Sequence, residues 1–205
     1  MAAKKHNGVI FLQETHTTYA NESYWKSMWK GQIEFCHGLS SARGVAILIP
    51  NHLDIIINEV IKDNTGRFLL LKASFENQPL ILANVYVPTK DQQNLQLEFL
   101  RFISERLNEF KDDNLIVGGD FNIIFDPILD KKGGRVEKKS KAACQLLELM
   151  ENYNLIDIFR LINPDVKRFT RREMSRCGLV QSRLDYWLIS NHILYDYNSQ
   201  NVLPG

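Results

Sequence analysis

Four short segments place carboxylate, amide or phenol groups where a buried apolar run stops: Glu14 after VIFLQ, Tyr86 within NVYVP, Asp120 and Asn122 within IVGGDFN, and Asp185 within SRLDYWLIS. Together these groups suit a metal-assisted attack on phosphate. Mg²⁺ takes oxygen ligands, commonly one or two carboxylates with water and substrate phosphate oxygens completing the shell, so Glu14 with a second carboxylate could suffice. Mn²⁺ would serve the same donors. Asp120 could align or deprotonate an attacking water, while Asn122 and Tyr86 could donate hydrogen bonds to phosphoryl charge developing in the transition state. None of these roles needs a cysteine or a serine triad. Each residue also has a plain structural explanation: Glu14 as the cap of a turn, Tyr86 as a core aromatic with a satisfied hydroxyl, and GGDFN as a tight turn. Asp185 is the hardest to explain that way, because Asp is disfavoured inside an apolar strand unless something pairs with it.

Rigid strands can hold side chains from distant parts of a chain around one point, and in open α/β sheets ligands gather at strand ends. Short apolar runs rich in β-branched residues, each bounded by Gly, Pro, Asn or Asp, predict strands over 8–13, 44–49, 53–61, 68–73, 80–87 and 115–117. Leu95, Phe99, Phe102, Ile103, Leu107 and Phe110 recur at helical spacing and predict an amphipathic helix over 92–110. A second helix is predicted over 140–153, with Ala143, Leu146, Leu147 and Met150 inward and Ser140 as its cap. Two late strands follow, over 168–172 and 182–189, the latter with Leu184, Tyr186 and Leu188 alternating against Asp185 and Trp187. This pattern predicts a single α/β domain over 1–205, a sandwich of two mixed sheets flanked by helices. The five site residues are expected to converge on one cleft at the same edge of the two sheets.

A net charge of +1 means that any affinity for nucleic acid must come from a local basic face. The segment LDKKGGRVEKKSK within 126–141 holds six basic residues and two glycines, which alone describes a solvated loop. Arg168, Arg171, Arg172 and Arg176 form a second basic stretch whose contribution would be to phosphate contact, a term that positions DNA without specifying sequence. Cys36, Cys144 and Cys177 are odd in number and widely spaced, which points to reduced thiols in a nuclear or cytoplasmic protein. No apolar run approaches the roughly 20 residues needed to span a bilayer. Neither secretion nor a membrane is indicated.

In order and spacing the four motifs resemble those of the endonuclease/exonuclease/phosphatase superfamily. LQETH at 12–16 is similar to its metal-binding segment, NVYVP at 84–88 to its tyrosine motif, GGDFN at 118–122 to its GDFN motif, and SRLDYWLIS at 182–190 to its late strand. The linking segments FCHGLSSARGVAILI, LDKKGG and NLIDIFRLINPDVKRFTRRE resemble the apurinic-like endonuclease domains of LINE retrotransposons. The resemblance implies a DNase I-like fold and a Mg²⁺-dependent endonuclease acting on DNA, with a reverse transcriptase domain as partner in a parent polyprotein. It implies that Glu14 binds the metal, that Tyr86 and Asn122 contact the scissile phosphate and that Asp120 activates water. It further implies that Asp185 orients a catalytic histidine and that Thr170, followed by Arg171 and Arg172, contacts the DNA backbone. Arg171 stands where related domains usually carry tryptophan.

The same resemblance implies a first strand bearing a supporting asparagine and a last strand bearing an SDH histidine, and both are expected to be missing from residues 1–205. His6, His16, His37, His52 and His192 are read as surface or structural residues. Two alternatives stay open: a catalytically incomplete remnant that binds nucleic acid or acts as a scaffold, and a phosphatase of the same superfamily acting on a small molecule or lipid.

Overall fold

The computed structural model describes residues 8–39, 41–134, 138–175 and 178–193. The chain divides into two compact units, Met1–Tyr86 and Val87–Gly205. In the first unit, β1 (Ile10–Gln13), α1 (Glu22–Met28), β2 (Gly31–Cys36) and β3 (Val45–Pro50) precede a meander of β4 (Ile55–Lys62), β5 (Phe68–Phe75) and β6 (Gln78–Tyr86). β3 lies between β1 and β2, antiparallel to both, with Gln13 opposite Val45 and Cys36 opposite that same valine. All six residues of β3 are buried, as its unbroken apolar sequence requires. Ile33, Phe35, Ala46 and Leu48 form one cluster, over which Trp25 of α1 and Trp29 pack. β4, β5 and β6 pair in sequence, with a bulge in β4 between Ile57 and Glu59.

One buried side chain ties these strands together. Asn84 of β6 is fully shielded from solvent. Its amide nitrogen donates to the carbonyls of Leu12 (2.9 Å) and Ala46 (2.8 Å), and its oxygen accepts from Gln13 Nε2 at 2.6 Å. A withdrawn amide must find such partners, so β1, β3 and β6 are held in one relative setting.

The second unit contains α2 (Gln93–Leu107), β7 (Asn114–Asp120), β8 (Lys131–Lys132), α3 (Lys141–Asn152), β9 (Leu155–Asp157), α4 (Ile158–Ile162), β10 (Arg171–Ser175), β11 (Gly178–Ser182) and β12 (Asp185–Ser190). β12 is central between β7 and β9 and antiparallel to each. β10, β11 and β8 form a separate antiparallel ribbon, with β10 exposed along its whole length. Ser140 caps α3 by accepting from the Ala143 amide at 3.1 Å.

The strands expected before residue 120 are all present, and the alternation in β12 holds: Tyr186 and Leu188 are buried while Asp185 is exposed. Two expectations need correction, and one strand lies outside those expected. The stripe of α2 is rotated, since Leu95 is exposed and Gln96 and Leu100 are buried in its place; Gln96 is admitted because its amide donates to the carbonyls of Pro88 and Asn122. The late strand expected over 168–172 begins only at Arg171, where pairing with Ser182 starts. β2 was not anticipated, although Gln32 and Glu34 alternate with buried Ile33 and Phe35, the period-2 pattern of a half-buried strand.

The basic stretch within 126–141 is also more than a solvated loop, although residues 135–137 lie outside the described part. Asp130 is fully buried, and its carboxylate accepts from Arg183 Nε (2.8 Å), Arg183 Nη2 (3.2 Å), Arg160 Nη2 (2.7 Å) and the Asp126 amide (3.0 Å). Arg183 also donates to Asp157 at 2.5 Å, and its guanidinium carbon lies 4.4 Å from the centre of the Tyr186 ring. Removing one member of a buried, hydrogen-bonded charge cluster strands the others. Asp130→Ala is therefore expected to destabilise the protein by about 3–5 kcal/mol, measured by urea unfolding. A loss below about 1 kcal/mol would show that the cluster is dispensable.

Candidate active site

In the first unit, β1 ends at Gln13, and the next residues turn sharply: Glu14 and His16 both have φ of 52°. Non-glycine residues adopt this left-handed region at a cost, and two so close together persist only where neighbours hold them. The hold comes from Arg43 and Gly44. The Thr15 amide donates to the Gly44 carbonyl at 3.1 Å, and the His16 amide donates to the Arg43 carbonyl at 2.9 Å. Gly44 has φ of 96°, and a Cβ there would lie 2.5 Å from Thr15 Oγ1, so only glycine fits.

This turn brings Glu14 to Tyr86 at the end of β6. Burial raises the Glu14 pKa, but hydrogen bonds from the Tyr86 hydroxyl and from His16, and then the Arg43 amide, outweigh it, leaving the group below the ordinary carboxylate value. His16 Nε2 lies 2.9 Å from Glu14 Oε2, and both side chains are 45% exposed. The carboxylate is thus ionised, oriented and open to solvent. A support lies alongside: His37 joins Thr17 Oγ1 (3.1 Å) to Glu22 (2.9 Å) and stacks on Phe35, and Thr17 in turn meets Thr15 Oγ1 at 2.9 Å.

In the second unit, Asp120 closes β7 and Asn122 follows with φ of 50°. The Asn122 amide N–H donates to Asp120 Oδ1 (2.9 Å), and its side-chain nitrogen donates to the Val87 carbonyl (2.9 Å) and to Asp120 Oδ2 (3.2 Å). The Val87 amide returns a bond to the Asp120 carbonyl at 2.8 Å. Asp185 stands directly opposite Asp120 in the β7–β12 pairing. Asp185 is the first residue of its strand and exposed, so the expected conflict between a carboxylate and an apolar strand does not arise. Thr170 Oγ1 accepts from the amides of Leu184 (3.0 Å) and Asp185 (3.3 Å), fastening the approach to β10 onto the start of β12. Beside Asn122 opens a cleft of about 290 Å³, whose lining includes Lys131, Lys138, Ser140, Arg171 and Ser182.

The structure therefore brings Glu14 together with Tyr86, and Asp120 together with Asn122, Asp185 and Thr170. Arg171 and Arg172 lie on exposed β10, where Arg171 pairs with Glu173 at 3.0 Å. Arg176 and Cys177 fall outside the described residues, as does His6. His192 is structural, bonded to Asn114 Oδ1 at 3.0 Å, whereas His16 touches the candidate metal ligand. The i, i+2 spacing of Glu14 and His16 would place them on one face of a strand, but the contact arises from the turn. Among the described residues no three His, Cys, Asp or Glu side chains gather as a preformed metal cage. A cation at Glu14 would complete its shell with water and substrate oxygens, which suits Mg²⁺. No helix among the described residues is long and apolar enough to cross a membrane.

Comparison with known proteins places this mixed α/β fold in a family. Residues 2–203 match the model of the endonuclease/exonuclease/phosphatase family, and the chain belongs to that family. It is 32% identical over 196 residues to the transposon TX1 uncharacterized 149 kDa protein of Xenopus laevis, covering 95% of this chain and 14% of that relative's length. Its fold is that of the AP endonuclease LMAP from Leishmania major (TM-score 0.71, 17% identity, covering 92% of this chain and 71% of that one). The catalytic domain of Xenopus laevis APE2 is similar to the same degree (TM-score 0.73, 18% identity, 92% and 75% covered).

Thr170 offers a test of what its hydroxyl does. If its main task is to accept the two amides of β12, Thr170→Val is expected to cost about 1 kcal/mol of stability in urea unfolding, with Thr170→Ser restoring most of it. Unchanged stability together with weakened DNA binding would move the hydroxyl to the nucleic acid.

Proposed function

We propose that this chain is a Mg²⁺-dependent endonuclease that nicks DNA for a LINE-type retrotransposon, leaving a 3′-OH that primes reverse transcription by another domain. The observation that carries the reading is the strained placement of the acidic motifs, with Glu14 and Asn122 both held in left-handed backbone just beyond strand ends. Relationship to a transposon protein supports the biological setting, and a single family match over residues 2–203 supports treating the chain as one endonuclease-type domain.

In this reading Glu14 is the metal ligand, and its low pKa keeps it charged through the neutral range. Bound Mg²⁺ would neutralise phosphate charge and stabilise the leaving oxygen. Asp120 takes the proton of the attacking water, and its carboxylate is held for this by the Asn122 amide. Both hydrogens of the Asn122 side-chain amide are engaged, so a phosphate oxygen would replace the longer bond, the one to Asp120. That exchange would remove the Asn122 side-chain bond from Asp120 Oδ2 as substrate arrives. The Tyr86 hydroxyl, whose one hydrogen is given to Glu14, would become a second donor to the phosphate by exchanging that bond. Asp185 orients a proton-bearing partner, the part that the family resemblance gives to a histidine. Arg171 and Arg172 on β10 hold the DNA backbone, and Thr170 sets the angle at which β10 leaves β12.

The test is conversion of supercoiled plasmid to nicked circle in Mg²⁺, assayed in the longest protein that carries this chain. Asp120→Ala and Glu14→Ala are each expected to lower the rate at least 100-fold, on the order of the loss of a general base or a metal ligand. Nicking that survives both substitutions would overturn the assignment.

A further inference from the structure

Arg43 has two attachments to the Glu14 turn: its carbonyl accepts from the His16 amide at 2.9 Å, and its own amide donates to the Glu14 carboxylate. Its φ of 70° is a conformation that a non-glycine residue takes only under constraint, and Gly44, which follows it, is fixed against Thr15. Arg43 is half-buried. Among the described residues it has no ion pair. Its charged neighbour is instead a second arginine, Arg67, which is 8% exposed.

Arg67 is already committed. Its Nη1 donates to the Tyr86 carbonyl at 3.0 Å, and its guanidinium lies 4.7 Å from the centre of the Tyr86 ring. Its pKa is lowered first by burial and next by the charge of Arg43, with Tyr86, Glu14 and Asp63 acting in the opposite sense. Asp63 is engaged elsewhere, accepting from the amides of Arg67 and Phe68. Two arginines thus stand on the segments that hold Glu14 and Tyr86, one committed to the Tyr86 carbonyl and one without an ion pair among the described residues, and Glu14 is the proposed metal ligand. Guanidinium donors match phosphate oxygens in a bidentate fork, and a phosphate beside Glu14 would give Arg43 the partner it lacks.

We infer that Arg43 contacts a non-bridging phosphate oxygen of the DNA backbone beside Glu14 and Tyr86, with Arg67 as the buried residue that positions Tyr86 for the same phosphate. This rests on the endonuclease reading and adds a binding residue to it. Arg43 differs from the exposed arginines of β10 in being fixed through its backbone to the turn that carries the metal ligand. Its contribution should therefore come without the cost of ordering its backbone.

The experiment measures binding of a fluorescein-labelled DNA duplex in EDTA across a range of salt, for wild type, Arg43→Asn, Arg43→Lys and the distant control Lys26→Ala. Asparagine tolerates the left-handed backbone, so Arg43→Asn removes the charge while sparing the turn, and equal thermal unfolding confirms it. Arg43→Asn is expected to reduce the slope of log affinity against log salt by about one. Arg43→Lys should keep the slope but bind several-fold more weakly, because an ammonium cannot form the fork. An unchanged slope for Arg43→Asn, or no duplex binding by wild type, overturns the inference. So does a response confined to competing inorganic phosphate, since it would assign Arg43 to a free anion. Plasmid nicking separates the two readings: a reduced slope in a protein that never nicks leaves the Arg43 contact standing and removes the endonuclease, whereas nicking and slope both indifferent to Arg43→Asn do the reverse.

Discussion

A polar group taken out of water must be paired, because leaving it unpaired costs more than the bond itself returns. Two side chains show how far this constraint shapes the protein. In the first unit Asn84 is shielded from solvent and can be satisfied only if β1, β3 and β6 keep their relative setting. That setting delivers Gln13 beside Asn84 and Glu14, one residue later, to the Tyr86 hydroxyl. In the second unit Arg183 is 3% exposed and can be buried only with Asp130 and Asp157. Its neighbours Leu184 and Asp185 are thereby fixed, and with them Thr170 and the strand opposite Asp120. In both units a buried polar residue lies a few positions from the candidate site residues and sets their position.

The acidic motifs themselves carry the opposite economy, in that they hold strain. Glu14, His16 and Asn122 all occupy left-handed backbone without being glycine. Turning the chain sharply at Glu14 lifts the carboxylate out of the strand and leaves it ionised and solvent-facing. Gly44 is the counterpart on the facing segment, since its lack of a side chain lets the turn approach closely enough to be held by two backbone bonds.

Much of this was legible in the residues. Unbroken apolar runs such as VAILIP and FLLL announce buried strands, and SxxA spacing before LLELM announces a capped helix; both follow from local periodicity, which sequence displays directly. What stayed hidden depends on partners far along the chain. Asp130 lies in a lysine-rich stretch that has the texture of solvent, and its burial depends on Arg160 and Arg183, 30 and 53 positions away. Gln96 displaces Leu95 from the core side of α2 because two carbonyls wait for its amide. His16, which reads from sequence as a surface or structural residue, and Arg43, which carries no reading there, escape for the same reason: neither their neighbours nor their spacing reveal a turn that brings them to Glu14. An arginine followed by glycine just before a buried run was the available signal for the second of these.

The central claim is that the turn after β1 holds Glu14 ready for a divalent metal before any substrate arrives. Calorimetric titration of the metal-free protein with Mn²⁺ tests it directly, comparing wild type with Glu14→Gln, which keeps the side-chain shape and removes the charge. The account predicts one bound Mn²⁺ per chain in the wild type, and an affinity at least tenfold weaker in Glu14→Gln with the folded state intact by circular dichroism. Equal Mn²⁺ affinity in the two proteins would contradict it.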